Sequence, residues 1–369
     1  MINARRKQGR YAGLTACGLV LVLAGLWPAL AVASDWPWKA EPYYLGQGLH
    51  FPQQSLRVGG YADIHFYNLG NRRSALSVED LSLFLTKDIG TRWKLFSETE
   101  LGDALVVNGQ HASTHDANVD FERFYADYRA SGAVTLRFGK FLTPIGQWNL
   151  VHADPLEWTV SRPLTTTAAF SRHASGAMMY GTVDVNKDDL DYWFFVDDSQ
   201  AIPIPRSHDL AFTDYGARST LRNDFLHAIG GEFLYHMLDD RLSLGASYAS
   251  FELKNPQQQY RLAGLDFGWS SRYIELSGEG IYRTGSGQGV PDEYGGYLQT
   301  VIPLPRHLYV VGRYERYKIS LPNQIVTLRS FGFDYRPTVS IVLKLEYRDG
   351  NHNADVAPNG WLASIGVLF

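Results

Sequence analysis

The sequence predicts an all-β fold: a transmembrane antiparallel β-barrel of about sixteen strands, with short periplasmic turns and a long third loop. Three observations carry this reading. Apolar and polar residues alternate with period two along most of the chain, short and long connectors alternate strictly, and residues 360–369 form a strand with one wholly apolar face.

Taken in order, the N-terminus has three parts: the basic residues Arg5, Arg6, Lys7 and Arg10, the apolar stretch Leu19 to Leu26, and the small-residue site Ala31-Val32-Ala33. That is the pattern of a cleaved secretory signal, and Pro28 disfavours a continuous membrane helix. Cleavage after Ala33 removes 33 of 369 residues and leaves 336. Cys17 precedes almost all of the apolar stretch and so does not fit a lipoprotein box. The exported part then has no cysteine for disulfide or thiol chemistry. The domain reading is a signal peptide at 1–33, a periplasmic N-terminal segment at 34–52 and a barrel at 53–369. Trp36, Trp38, Tyr43 and Tyr44 in that segment are expected to pack near the barrel end.

Of 34 basic residues four lie in the signal, where there are no acidic ones, so 30 remain against 38 acidic residues, a net charge near −8. That balance opposes nucleic acid as a partner. Mean hydropathy is −0.20, and after residue 33 no apolar run approaches the ~20 residues of a membrane helix. Crossing a membrane then falls to strands.

The last strand puts Trp361, Ala363, Ile365, Val367 and Phe369 on one face, with Leu362, Ser364, Gly366 and Leu368 on the other. Upstream, Ile341, Leu343, Leu345 and Tyr347 oppose Val342, Lys344, Glu346 and Arg348, and Trp93, Leu95, Ser97 and Thr99 oppose Lys94, Phe96, Glu98 and Glu100. Extended this way, the period marks strands at 55–67, 76–87, 92–103, 118–129, 133–142, 175–185, 190–197, 224–236, 241–253, 259–269, 272–284, 293–302, 307–319, 325–335, 340–349 and 360–369. The alternation changes phase within 118–129 and 325–336, as a bulge would cause. Connectors such as 88–91, 130–132, 186–189, 238–240, 270–271, 303–306 and 336–338 are short. Those at 104–117, 143–174 and 198–223 are long. Barrels of ~16–18 strands leave an aqueous channel, and charged inner faces suit a wet lumen.

The third long loop, 143–174, is rich in Trp, Leu and Pro and is expected to be packed. The run Phe138-Gly139-Lys140-Phe141-Leu142-Thr143-Pro144-Ile145-Gly146 that leads into it resembles the strand-to-loop passage of phosphate-selective porins of the O and P type. The resemblance implies an outer-membrane porin, a homotrimer, and a third loop folded into the barrel to narrow it. It departs from that pattern in having no lysine between Thr143 and Arg172. A terminal Phe on an alternating strand is similar to the signature that the barrel-assembly machinery reads.

Rings of charge set pore selectivity. The candidates for lining or constriction are Asp154, Glu157 and Arg162 on the loop, with Arg123, Arg129, Arg137, Arg313, Glu315, Lys344, Glu346 and Arg348 on the wall. The same charges would also serve as structural braces by pairing. His111, His115 and Asp116, and His152 with Asp154, read as solvated loop residues, so no metal site, cofactor or catalytic residue is assigned. Gly285-Ser286-Gly287-Gln288-Gly289 links two strands and opens no helix, which excludes a phosphate-cradling loop. The expected activity is passive diffusion of small hydrophilic solutes or ions, and the expected surroundings are outer-membrane lipid. An anion- or phosphate-selective channel is the alternative. A plugged structural barrel or an enzymatic barrel comes behind it, for which no Ser or His has a convincing partner.

Overall fold

The computed structural model describes residues 38–70, 73–109, 111–115, 117–151, 153–199, 201, 223–254, 257–286, 290–320, 323–351 and 355–369. The signal pattern, Cys17, Trp36, Asp116, His152, most of 198–223 and Gly287 to Gly289 lie outside the described residues.

Sixteen long strands follow in order: β1 (Leu56–Leu69), β2 (Ala75–Ile89), β3 (Trp93–Asn108), β4 (Asn118–Arg129), β5 (Thr135–Leu142), β6 (His173–Val185), β7 (Asp188–Asp197), β8 (Phe225–Met237), β9 (Leu242–Lys254), β10 (Gln257–Ser270), β11 (Glu275–Gly285), β12 (Glu293–Leu304), β13 (Leu308–Ile319), β14 (Gln324–Thr338), β15 (Ile341–Asn351) and β16 (Gly360–Leu368). Each pairs antiparallel with the next, and β16 pairs with β1 from Gly360↔Leu69 to Leu368↔Tyr61, which closes the ring. Count and order agree with the sequence reading.

Differences at the ends have local causes. β3 runs on to Asn108 because Val106 and Val107 pair with Ser113 and Ala112, so part of the expected 104–117 loop is a hairpin. β11 starts later than expected because the backbone N–H groups of Tyr273 and Ile274 donate to Ser271 Oγ (3.3 and 3.2 Å), which holds 272–274 in a turn. Register shifts fall opposite Phe121–Arg123 of β4 and near Tyr335 of β14, in the two strands where the alternation changes phase. Three more, at Ala62/His65, Val78/Asp80 and Phe225/His227, were not marked by the alternation.

Period two sorts the faces. Leu244, Leu265, Leu298, Ile302, Phe331 and Ile365 point outward, and Leu265 is 69% exposed. A closed ring of paired strands with bare apolar side chains outside suits hydrocarbon, where unpaired backbone groups are costly. Short turns fit the strand twist by left-handed residues, such as Gly90 (φ 60°) and the pair Arg306 and His307 (φ 65° and 60°).

The interior is partly packed. Phe141, Ile145, Leu164 and Phe170, at the end of β5 and on the following loop, join Phe195, Phe225, Phe251, Leu262, Ile281 and Tyr317 of the wall in one buried cluster. Gly139, within β5, lets that strand pass close to β4: its φ is 133°, and a Cβ there would lie 2.2 Å from the Phe124 carbonyl oxygen. At the turn end of the barrel, Leu49–Phe51 pairs with β1, Trp38 meets Phe51 edge-on (6.1 Å), and Ser340 Oγ donates to the Leu45 carbonyl (2.9 Å).

Candidate functional site

Between β5 and β6 the chain folds inward as a string of short pieces: α1 (Gln147–Leu150), a 3-10 turn (Asp154–Leu156) and α2 (Leu164–Ala168). None is long enough to hold its shape by backbone bonds alone. The wall supplies the rest. Gln147 Nε2 donates to Ser243 Oγ of β9 (3.0 Å), Trp158 Nε1 to Glu275 of β11 (2.9 Å), and Arg283 of β11 to the Ala169 carbonyl (2.8 Å). The Leu164 N–H donates to Glu315 of β13 (2.8 Å), and Arg336 of β14 donates to the carbonyls of Pro155 and Glu157 (3.0 and 2.9 Å). Ser161 gives Glu346 of β15 both its N–H (2.9 Å) and its hydroxyl (2.6 Å).

The sequence-predicted charges fall into three groups. Asp154, Glu157, Arg313, Glu315, Lys344, Glu346 and Arg348 are buried, and the first six make their contacts along the loop–wall seam. Lys344 Nζ lies 3.1 Å from Asp154 Oδ2 and donates to the carbonyls of Asp154 and Thr159 (2.5 and 3.2 Å). Arg313 pairs with Glu315 (2.7 Å) and donates to Ser161 Oγ (2.8 Å), with the Trp148 ring 5.9 Å away. Burial of these wall charges differs from the expected wet inner face. They are solvated by loop hydroxyls and carbonyls in place of water, which is how a buried charge stays affordable. The Asp154 carboxyl illustrates this: burial pushes it up, but the Lys344 ammonium and the His65 imidazole outweigh burial and hold it below the usual carboxylate range.

The second group is half-buried: Arg162, Arg123 and Arg137. Arg162 pairs with Glu157 (2.9 Å) within the loop. Arg123 pairs with Glu98 and lies over the Phe96 ring (4.9 Å). Arg137 holds Asp127 with two nitrogens (2.7 and 2.9 Å) over the Tyr125 ring (3.6 Å). Arg129 stands apart, exposed at the end of β4 beside a short turn, at the far end of the strand pair from the loop.

Residues absent from the sequence-derived set complete the wall. Asp63 and His65 on β1, Glu79 and Asp80 on β2, and Glu98 and Glu100 on β3 make one side strongly acidic, with Glu79, Asp80 and Glu100 half-buried. The alternation had already placed Glu98 and Glu100 on the polar face. A second acidic group, Glu232, Asp266 and Glu279, is buried on β8, β10 and β11.

No family model matches the chain. An uncharacterized protein of Aquifex aeolicus is 24% identical over 342 residues, covering 80% of this chain and 76% of its own length. Among solved structures, the outer membrane channel DcaP of Acinetobacter baumannii superposes with a TM-score of 0.57 at 10% identity, covering 87% of this chain and 99% of that one. The trimer form of the outer membrane protein OmpT of Vibrio cholerae gives 0.55 at 8%, over 85% and 99%. An anion-selective porin from Comamonas acidovorans gives 0.50 at 14%, over 85% and 98%. The fold is therefore the closed, sixteen-stranded antiparallel barrel of porins.

Proposed function

We propose that this chain is an outer-membrane porin, a passive channel for small hydrophilic solutes or ions. One observation carries the reading: the loop is fastened to β9, β11, β13 to β16 and β1, while across from it β2 to β5 present half-buried charges. Such an arrangement narrows a lumen from one side. Planar-bilayer recording of the purified, folded barrel tests it. Steady ohmic steps are expected, and a folded barrel with no conductance would overturn the reading.

The outer membrane as location, a signal peptide cut near Ala33, recognition of the terminal strand by assembly machinery and contact with lipid all belong to this proposal. So does the absence of an enzymatic role, which rests on likeness to porin folds. A trimer is supported by the trimer form among the similar structures.

The finer reading, a phosphate- or anion-selective channel of the O and P type, is supported by the Phe138-to-Gly146 passage and by a similar fold in an anion-selective porin. Against it, Arg123 and Arg137 are already paired with Glu98 and Asp127, and the half-buried Glu79, Asp80 and Glu100 favour cations. Reversal potentials under a salt gradient separate the two.

A further inference from the structure

Asp63 and His65 lie on the inner face of β1 where the loop's 3-10 turn presents Asp154. His65 Nε2 lies 3.8 Å from Asp63 Oδ1 and 3.6 Å from Asp154 Oδ1. One nitrogen or oxygen from each of the three residues lies within 4.8 Å of the other two, and all three residues are buried. These separations are longer than an N–H···O hydrogen bond, which peaks at about 2.9–3.0 Å. They are close to the roughly 3.4 Å between ligands held at about 2.1 Å around a tetrahedral ion.

Hydrogen bonds to the surrounding strands fix how the three side chains face one another. Asp63 Oδ1 accepts the Asp80 N–H (2.9 Å), while Asp63 Oδ2 is buried and accepts no hydrogen bond. Asp154 Oδ2 is taken by Lys344 (3.1 Å) and Ser364 Oγ (3.3 Å), so Oδ1 is the oxygen turned to His65. On the other side of the imidazole, Nδ1 lies 3.3 Å from the Tyr67 hydroxyl, which donates to Glu79. A metal-bound histidine is oriented by such a partner at its second nitrogen.

We propose that Asp63, His65 and Asp154 bind one divalent first-row transition ion of the zinc type, and that the ion ties the loop to the wall. An imidazole with two carboxylates suits zinc or manganese better than the all-oxygen sites of calcium and magnesium. Lys344 stays outside the coordination shell, held against Asp154 Oδ2 (3.1 Å). A proton is the rival occupant: His65 as an imidazolium between two carboxylates meets the same charge demand without metal.

The test uses the full folded barrel, stripped with chelator and dialysed. Zinc is titrated by calorimetry, and cobalt by its visible absorption. One ion per chain is expected, with a cobalt spectrum of nitrogen–oxygen ligation and at least tenfold weaker zinc binding in His65→Gln and in Asp63→Asn. No uptake by the wild-type barrel would overturn the proposal in favour of the proton, and so would unchanged affinity in His65→Gln, which would assign the ion to loop histidines. The cobalt spectrum needs no variant, so a misfolded mutant does not blunt the test. Metal uptake is also read without conductance, so this site and the channel reading stand or fall separately.

Discussion

Lys344 of β15 reaches Asp154 across 190 residues of sequence, with its Nζ 3.1 Å from Asp154 Oδ2 and 2.5 Å from the Asp154 carbonyl oxygen. One ammonium thus neutralises a buried carboxylate and satisfies the backbone of the turn that carries it. The loop's position depends on such contacts with the wall more than on any local propensity of residues 143–172.

Replacing Lys344 with Met should therefore leave a buried carboxylate without its main counter-charge. Breaking a buried pair costs about 3–5 kcal/mol. Denaturant unfolding of the folded barrel is expected to show a loss of that order. A variant as stable as the parent would mean that the pair contributes nothing net.

The acid response of the loop follows in sign. The folded Asp154 carboxyl is held below its unfolded value, so its contribution is complete above about pH 4, the ordinary Asp range. The contribution is lost as pH falls through the depressed folded value. Protease nicking of the loop should stay slow from neutral pH to about 4, with any loosening confined to more acidic conditions. Loosening between pH 7 and 5 would contradict the assignment.

Neutralising the half-buried acids tests the polarity of the passage. Glu79→Gln with Glu100→Gln should shift the reversal potential toward anions. A unit charge at 8 Å in water acts with about 0.5 kcal/mol, so the permeability ratio is expected to change about twofold per charge. No shift would remove these residues from the solute path.

Leu265, bare on the outer face of β10, reports on the surroundings of the barrel. Leu265→Arg should cost about 2–4 kcal/mol in bilayers, as for a cation at mid-depth on a lipid-facing strand. In a barrel facing water the change would be close to neutral.

The strands were legible because a two-faced wall writes its period into adjacent residues. Leu343 and Lys344, or Leu345 and Glu346, declare their faces with no knowledge of distant partners. The same alternation selected Arg313, Glu315, Lys344 and Glu346, but it carried no sign of Ser161 or Asp154, which lie more than 150 residues away. It therefore left open whether these charges line the lumen or brace the wall, and in the fold they are buried where the loop meets the wall. Asp63 and His65 alternate with Ile64 and Phe66, so their inward face is legible, but their meeting with Asp154 of the distant loop is not. Arg129 closes the strand marked at 118–129, beside the short 130–132 connector, and the structure places it there, exposed.

The loop's fastening to β9, β11, β13, β14, β15, β16 and β1 has a bearing on time as well as shape. No single contact serves as a latch, so releasing one leaves the others in place, and a swing of the whole segment would require their simultaneous loss. A channel built this way works as a sieve cast once, during folding. Such a sieve would sort arriving solutes while its own state stays the same.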